Sequence, residues 1–198
     1  MNIYLVRHPP PIGVDGICYG DSEVAVDERA IAVIAESIVA QISAETLAGA
    51  RIYCSPSSRC LGLARRIASP REPTSAQDLI EMNFGHWQGL AWDAIAREQM
   101  DAWAQDLWNY RPGGGESAQM VAARWERWLQ GVRQSRGGSV VAVTHAGIIR
   151  VALARAASHA GAALRQGAGS RQEGGLRHDP SALAAHIPFG SVHRLDLG

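Results

Sequence analysis

The chain is 198 residues long, 46% hydrophobic and 19% charged, a globular composition long enough to bury roughly 70% of its unfolded surface without disulfide or metal staples. Nineteen basic and nineteen acidic residues leave a formal net charge of +0, which argues against broad binding to nucleic-acid backbones. Three cysteines (Cys18, Cys54 and Cys60) with no C-x-x-C pair argue against a disulfide framework or a zinc knuckle.

The first apolar run, Ile3-Tyr4-Leu5-Val6, stops at Arg7-His8 and three prolines, so it predicts a buried strand opening into a loop and not a signal peptide. Ile31, Ile34, Ile38 and Ile42 share one helical face, with Asp27 placed as N-cap. Arg51–Cys54 reads as a second strand, followed by a helix capped by Ser57 or Ser58 and running to about Ala68. A weaker third strand is expected from Thr74 to Ile80, then a polar-aromatic turn over Glu81–Trp87. Helices are expected at about Trp92–Trp108 and Ser117–Gln134, the second with an apolar stripe of Val121, Trp125, Trp128, Leu129 and Val132. Those tryptophans read as core and not as a ligand-stacking box.

Ser139–Thr144 is the clearest central strand, ending at His145, with a helix resuming after Gly147. The stretch from Val140 to Ala157 is apolar but interrupted by His145, Arg150 and Arg155, so it cannot span a bilayer. Residues 161–180 are rich in Gly and Arg without periodicity and predict a mobile surface loop. A last strand is expected near Gly190–Leu195. Strands alternating with helices predict a single-domain α/β three-layer sandwich with a mostly parallel central sheet over 1–198. The expected location is the cytoplasm.

In such sheets the ligand crevice lies outside the carboxyl ends of the strands. Arg7-His8, Arg59, Glu81 and His145 stand at such ends or open the following helix, so four distant segments can converge. Two arginines and two histidines there would make a cationic pocket suited to a phosphoryl group, with helix N-termini near Arg59 and Gly147 adding N–H donors. A histidine beside arginines keeps a free ring nitrogen for attack on phosphorus. Met82, Phe84 and Trp87 give Glu81 surroundings suited to a general acid. No Walker loop, H-E-x-x-H or Asp-rich cluster appears, so such chemistry would use no metal or other cofactor. Each residue also has a plain structural reading, and Gly114-Gly115-Glu116-Ser117 reads most simply as a turn with an N-cap. His86, His159, His178, His186 and His193 carry no functional expectation.

Taken together and in order, Leu5-Val6-Arg7-His8, Cys54-Ser55-Pro56-Ser57-Ser58-Arg59-Cys60, Leu79–Gly89 around Glu81, and Val143-Thr144-His145-Ala146-Gly147-Ile148-Ile149-Arg150 resemble the motifs of the histidine phosphatase superfamily, with its phosphoglycerate-mutase-like fold. Pro112–Ser117 resembles that family's loop before its late helix. The resemblance implies His8 as a nucleophile forming phosphohistidine, with Arg7, Arg59 and His145 on the phosphoryl oxygens and Glu81 as proton donor. The chain departs from the family where Pro9 replaces the usual Gly and Val14 stands in place of an Asn. Arg7-His8-Pro9 followed by Gly16-Ile17-Cys18-Tyr19-Gly20 resembles bacterial α-ribazole-5′-phosphate phosphatases of cobalamin assembly. The expectation is a metal-independent phosphomonoesterase acting on a small phosphorylated metabolite, with neither nucleic acid nor membrane as partner; a homodimer stays open. The alternatives are a phosphatase for another small metabolite or a non-catalytic phospho-ligand-binding module.

Overall fold

Val140–Thr144 forms a strand buried at every position, as expected of a β-branched run without polar alternation at the centre of a parallel sheet. The computed structural model describes residues 1–135, 137–166 and 180–196. In chain order its elements are β1 (Asn2–Arg7), α1 (Glu28–Ile42), α2 (Ala44–Gly49), β2 (Arg51–Cys54), α3 (Ser58–Ala68), β3 (Thr74–Ser75), α4 (Arg97–Gln105), α5 (Ala118–Gln134), β4 (Val140–Thr144), α6 (Ala146–Gln166), α7 (Pro180–Leu183) and β5 (Val192–Asp196), with short 3-10 turns between β3 and α5. The sheet order is β3-β2-β4-β1-β5. β1 to β4 run parallel, and β5 closes the edge antiparallel to β1.

Register sorts the side chains into two cores. Ile3 pairs with Val140 and Leu5 with Ala142, and these four face α5 and α6 through Trp125, Ile148 and Ile149. Their strand neighbours Val6, Val141 and Val143, with Ile52 and Cys54, face α1 and α3 through Ile31, Ile38, Leu63 and Ile67. Each such aliphatic side chain contributes about 1.5–3 kcal/mol by leaving water. The result is the three-layer sandwich expected from the sequence. Trp125 and Trp128 are core residues, as predicted. A third, smaller cluster packs Cys18, Trp87 and Ile95 with Phe84, Trp92 and Trp103.

Several boundaries differ from the prediction. The third strand is only Thr74–Ser75, because Gln77–Leu79 turns into a 3-10 helix that drops Leu79 into the core. Trp92–Trp108 is not one helix: Trp92–Ala94 is a 3-10 turn and α4 covers Arg97–Gln105. No side chain caps α4, and Trp92 is held off the helix by stacking on Trp103, ring centroids 6.3 Å apart. α1 is capped by Asp27, as expected. Ser57 occupies the N-cap of α3 but its side chain does not cap; Glu23 does so from another loop, accepting from Ser58 N at 3.1 Å and Ser58 Oγ at 2.6 Å. The expected loop over 161–180 is helical at 161–166, where α6 continues. Residues 167–179 of it lie outside the described residues.

Candidate active site

Arg7 ends β1 and His8 follows it, its N–H donating to Thr144 O at 3.0 Å. That bond continues the β1–β4 ladder one residue further, so His8 and His145 leave adjacent strand ends side by side. Their ring centroids are 5.0 Å apart. Arg59, one residue into α3, is fully buried beneath them. Glu81 reaches in from the segment after the Gln77–Leu79 turn, its carboxylate accepting from Met82 N at 2.8 Å and Gly147 N at 3.1 Å. Arg59 and Arg7 act electrostatically on His8, and Glu81 acts on Arg7. The structure thus gathers all five residues singled out from the sequence.

Burial, followed by the charge of Arg59, pushes the His8 imidazole down to about 3, and burial with His8 and the arginines pushes His145 far down as well. Both rings are therefore neutral near pH 7. His8 Nδ1 lies 2.7 Å from Pro9 O. A carbonyl only accepts, so Nδ1 carries the proton and Nε2 keeps a lone pair. Pro9, which departs from the family pattern, thus lends its carbonyl to fixing the tautomer. His145 Nε2 lies 2.8 Å from Ser55 Oγ and 3.4 Å from Cys60 Sγ, which fix its ring.

The two arginines are held from behind by backbone carbonyls. Arg59 donates to Ser22 O at 2.7 Å and Gly20 O at 2.8 Å, and Arg7 Nη1 donates to Ile187 O. The Nε of each is buried without a hydrogen-bond partner among the described residues. An unpaired buried donor on a charged group costs on the order of 1–3 kcal/mol, and an anion's oxygen would relieve it. Aromatic rings cover both guanidinium groups: Phe189 lies 3.7 Å from Arg7 and Tyr19 lies 5.4 Å from Arg59. Tyr19 and Arg7 also act on each other electrostatically. Among the described residues no group of three or more His, Cys, Asp or Glu is arranged to hold a metal ion, and no helix is long and apolar enough to cross a membrane.

Two of the first N–H groups of α3 and α6 are already used by the protein itself: Ser58 N is taken by Glu23 and Gly147 N by Glu81. A helix N-terminus attracts an anion, and here a protein carboxylate supplies it in each case. Sequence reading gives no role to four residues that shape the site. Tyr19 enters only as one position of the Gly16–Gly20 motif, and Phe189 carries no signal beyond being aromatic. Glu116 reads as part of a turn, and Arg124 sits mid-helix while its carbonyl partners lie up to 46 residues away.

Comparison with known proteins matches this arrangement to a family. The model of the histidine phosphatase superfamily (branch 1) matches residues 3–170. No curated protein matches the chain in sequence. Among solved structures, the α-ribazole phosphatase from Shigella flexneri aligns over 100% of this chain and 91% of its own, at 22% identity and TM-score 0.73. TTHB049 from Thermus thermophilus covers 99% and 94% at 21% identity and TM-score 0.69. A mycobacterial glucosyl-3-phosphoglycerate phosphatase covers 78% and 78% at 24% identity and TM-score 0.68. At such identities these likenesses speak for the phosphoglycerate-mutase-like fold, while the family match spans most of the chain. The chain belongs to the histidine phosphatase superfamily and is a phosphatase.

Proposed function

We propose that the protein is a metal-independent cytoplasmic phosphomonoesterase that works through phosphohistidine, with α-ribazole 5′-phosphate as its substrate in cobalamin biosynthesis. The observation that carries the mechanism is the His8 ring, neutral and with Nδ1 tied to Pro9 O, beside the buried Arg59 and the half-buried Arg7. In the first step the Nε2 lone pair forms an N–P bond as the ester P–O bond breaks, and Glu81 gives a proton to the departing alkoxide. Arg7, Arg59 and His145 stabilise the equatorial oxygens. In the second step water attacks phosphorus, the N–P bond breaks, and Glu81 takes the water's proton. The products are an alcohol and inorganic phosphate, with His8 and Glu81 restored.

The substrate is supported by the full-length likeness to the Shigella α-ribazole phosphatase and by the resemblance of Arg7-His8-Pro9 and Gly16–Gly20 to that group. The likeness to glucosyl-3-phosphoglycerate phosphatase favours a second reading, a phosphatase for another small phosphorylated metabolite. A screen of phosphorylated metabolites with phosphate release as readout decides between them. The first reading expects α-ribazole 5′-phosphate to give the highest kcat/KM; a sugar or glycerate phosphate ahead of it by ten-fold or more, a margin of about 1.4 kcal/mol, would favour the second.

A further inference from the structure

Arg124 is a buried arginine with a different task from Arg7 and Arg59. It lies on α5, 7% exposed, and its five N–H groups meet five acceptors. Nη1 donates to Asp78 O at 2.9 Å and Ile80 O at 2.6 Å, and Nη2 to Glu81 O at 3.1 Å and Glu116 Oε2 at 2.9 Å. Nε donates to Glu116 Oε1 at 3.0 Å. A guanidinium carries five donors, so none is left for a phosphoryl oxygen, whereas Arg7 and Arg59 each keep a buried Nε unpaired.

Three of those acceptors belong to the segment that delivers Glu81, and the other two to Glu116. Beyond the Gln77–Leu79 turn this segment has no regular secondary structure, so its backbone groups need partners from elsewhere. Glu116 supplies more of them: its Oε2 accepts from Asn83 N at 3.0 Å, and its own N–H donates to Asn83 O at 2.8 Å. Thr144 Oγ1 donates to a further carbonyl of the segment, Leu79 O, at 2.7 Å. The backbone on both sides of Glu81 is thus fixed by one ion pair, while the Glu81 carboxylate is fixed separately by Met82 N and Gly147 N. The close approach is built in: a Cβ on Gly115 would stand 2.1 Å from Asn83 O.

We propose that the Arg124–Glu116 pair is a positioning device for the proton-transfer residue, setting where the Glu81 carboxyl stands relative to the leaving group. This rests on the proton-donor role of Glu81 proposed above. A buried ion pair gives little net stability against an apolar pair of equal volume, but the planar fork fixes geometry that a point charge cannot. Arg124→Lys keeps the charge and cannot reach three carbonyls and both carboxylate oxygens together.

The test compares the phosphorylation step on two substrates in wild type, Glu81→Gln, Arg124→Lys and the double variant. An alkyl phosphate needs a proton on its leaving group; nitrophenyl phosphate does not. General-acid assistance is worth about 10²–10⁴-fold. Arg124→Lys should therefore lose at least about ten-fold more on the alkyl phosphate than on the nitrophenyl ester, and the double variant should lose no more than Glu81→Gln alone. Equal losses on both substrates, or losses that multiply in the double variant, overturn the proposal. If Glu81→Gln is selective and Arg124→Lys is not, the acid role stands and the positioning claim alone falls. If Glu81→Gln itself shows no selectivity, the acid role fails and there is nothing to position. Should Arg124→Lys not fold, Glu116→Gln, which keeps one acceptor oxygen, takes its place under the same criteria.

Discussion

His8 and His145 are two imidazoles whose free energy is spent on staying neutral. With His8 pushed down to about 3 from the usual 6.5, the unfolded chain binds a proton between those values that the folded chain does not. Stability from this source is complete above pH 6.5 and is lost as pH falls toward 3, by up to about 1.4 kcal/mol per pH unit. Urea midpoints should therefore fall between pH 7 and 5, and less steeply in His8→Asn; an equal slope in the variant would contradict the electrostatic picture. The imidazole C2–H resonance of His8 should likewise not titrate between pH 5 and 8, and a midpoint near 6.5 would place its ring in water. At this scale the sequence was partly legible. Arg7, His8 and His145 announced themselves by standing at strand ends, where apolar runs stop abruptly. Arg59 did so by opening the helix after a strand, whereas Glu81 was expected to end a strand that stops at Ser75. Arg124 did not announce itself, since a charged residue in a helix carries no mark of what it meets across the fold.

Among the elements, periodicity told the long ones truly. β1, β2 and β4 followed from short β-branched runs, and α1 and α5 from apolar stripes with a capping Asp27 and Ser117. Sequence reading failed where tertiary contacts decide. A buried Leu79 shortened β3, and the Trp92–Trp103 stack divided a helix-like stretch. The loop Pro112–Gly115 also proved to be more than a turn, since it packs backbone against backbone on Asn83–Trp87. Two glycines separate these effects. Gly115→Ala would press a Cβ against Asn83 O at 2.1 Å and should destabilise by about 1–3 kcal/mol. Gly131→Ala, within α5 with nothing inside 4 Å, should stabilise by roughly 0.5–1 kcal/mol. Thermal unfolding of both variants checks the pair, and equal shifts of one sign would refute the loop-packing argument.

At the level of the whole molecule, a mostly parallel sheet brings four remote segments to one crevice and sets neutral histidines beside the arginine charges of Arg7 and the buried Arg59. The cations that face the crevice are arginines, so prolonged EDTA treatment should leave phosphatase activity intact; loss restored by a divalent ion would make the enzyme a metallohydrolase. Vanadate should inhibit, because its trigonal-bipyramidal adduct resembles the transition state. The central claim is the covalent step on His8. Wild type and His8→Ala are mixed with nitrophenyl phosphate, denatured within the first turnover, held at neutral to alkaline pH to preserve an N–P bond, and digested for mass spectrometry. The account predicts one phosphoryl group on the peptide carrying His8 in wild type, lost on mild acid treatment, with neither adduct nor turnover in the variant. A His8→Ala enzyme that turns over near the wild-type rate, or a wild type phosphorylated on a residue other than His8, would contradict it.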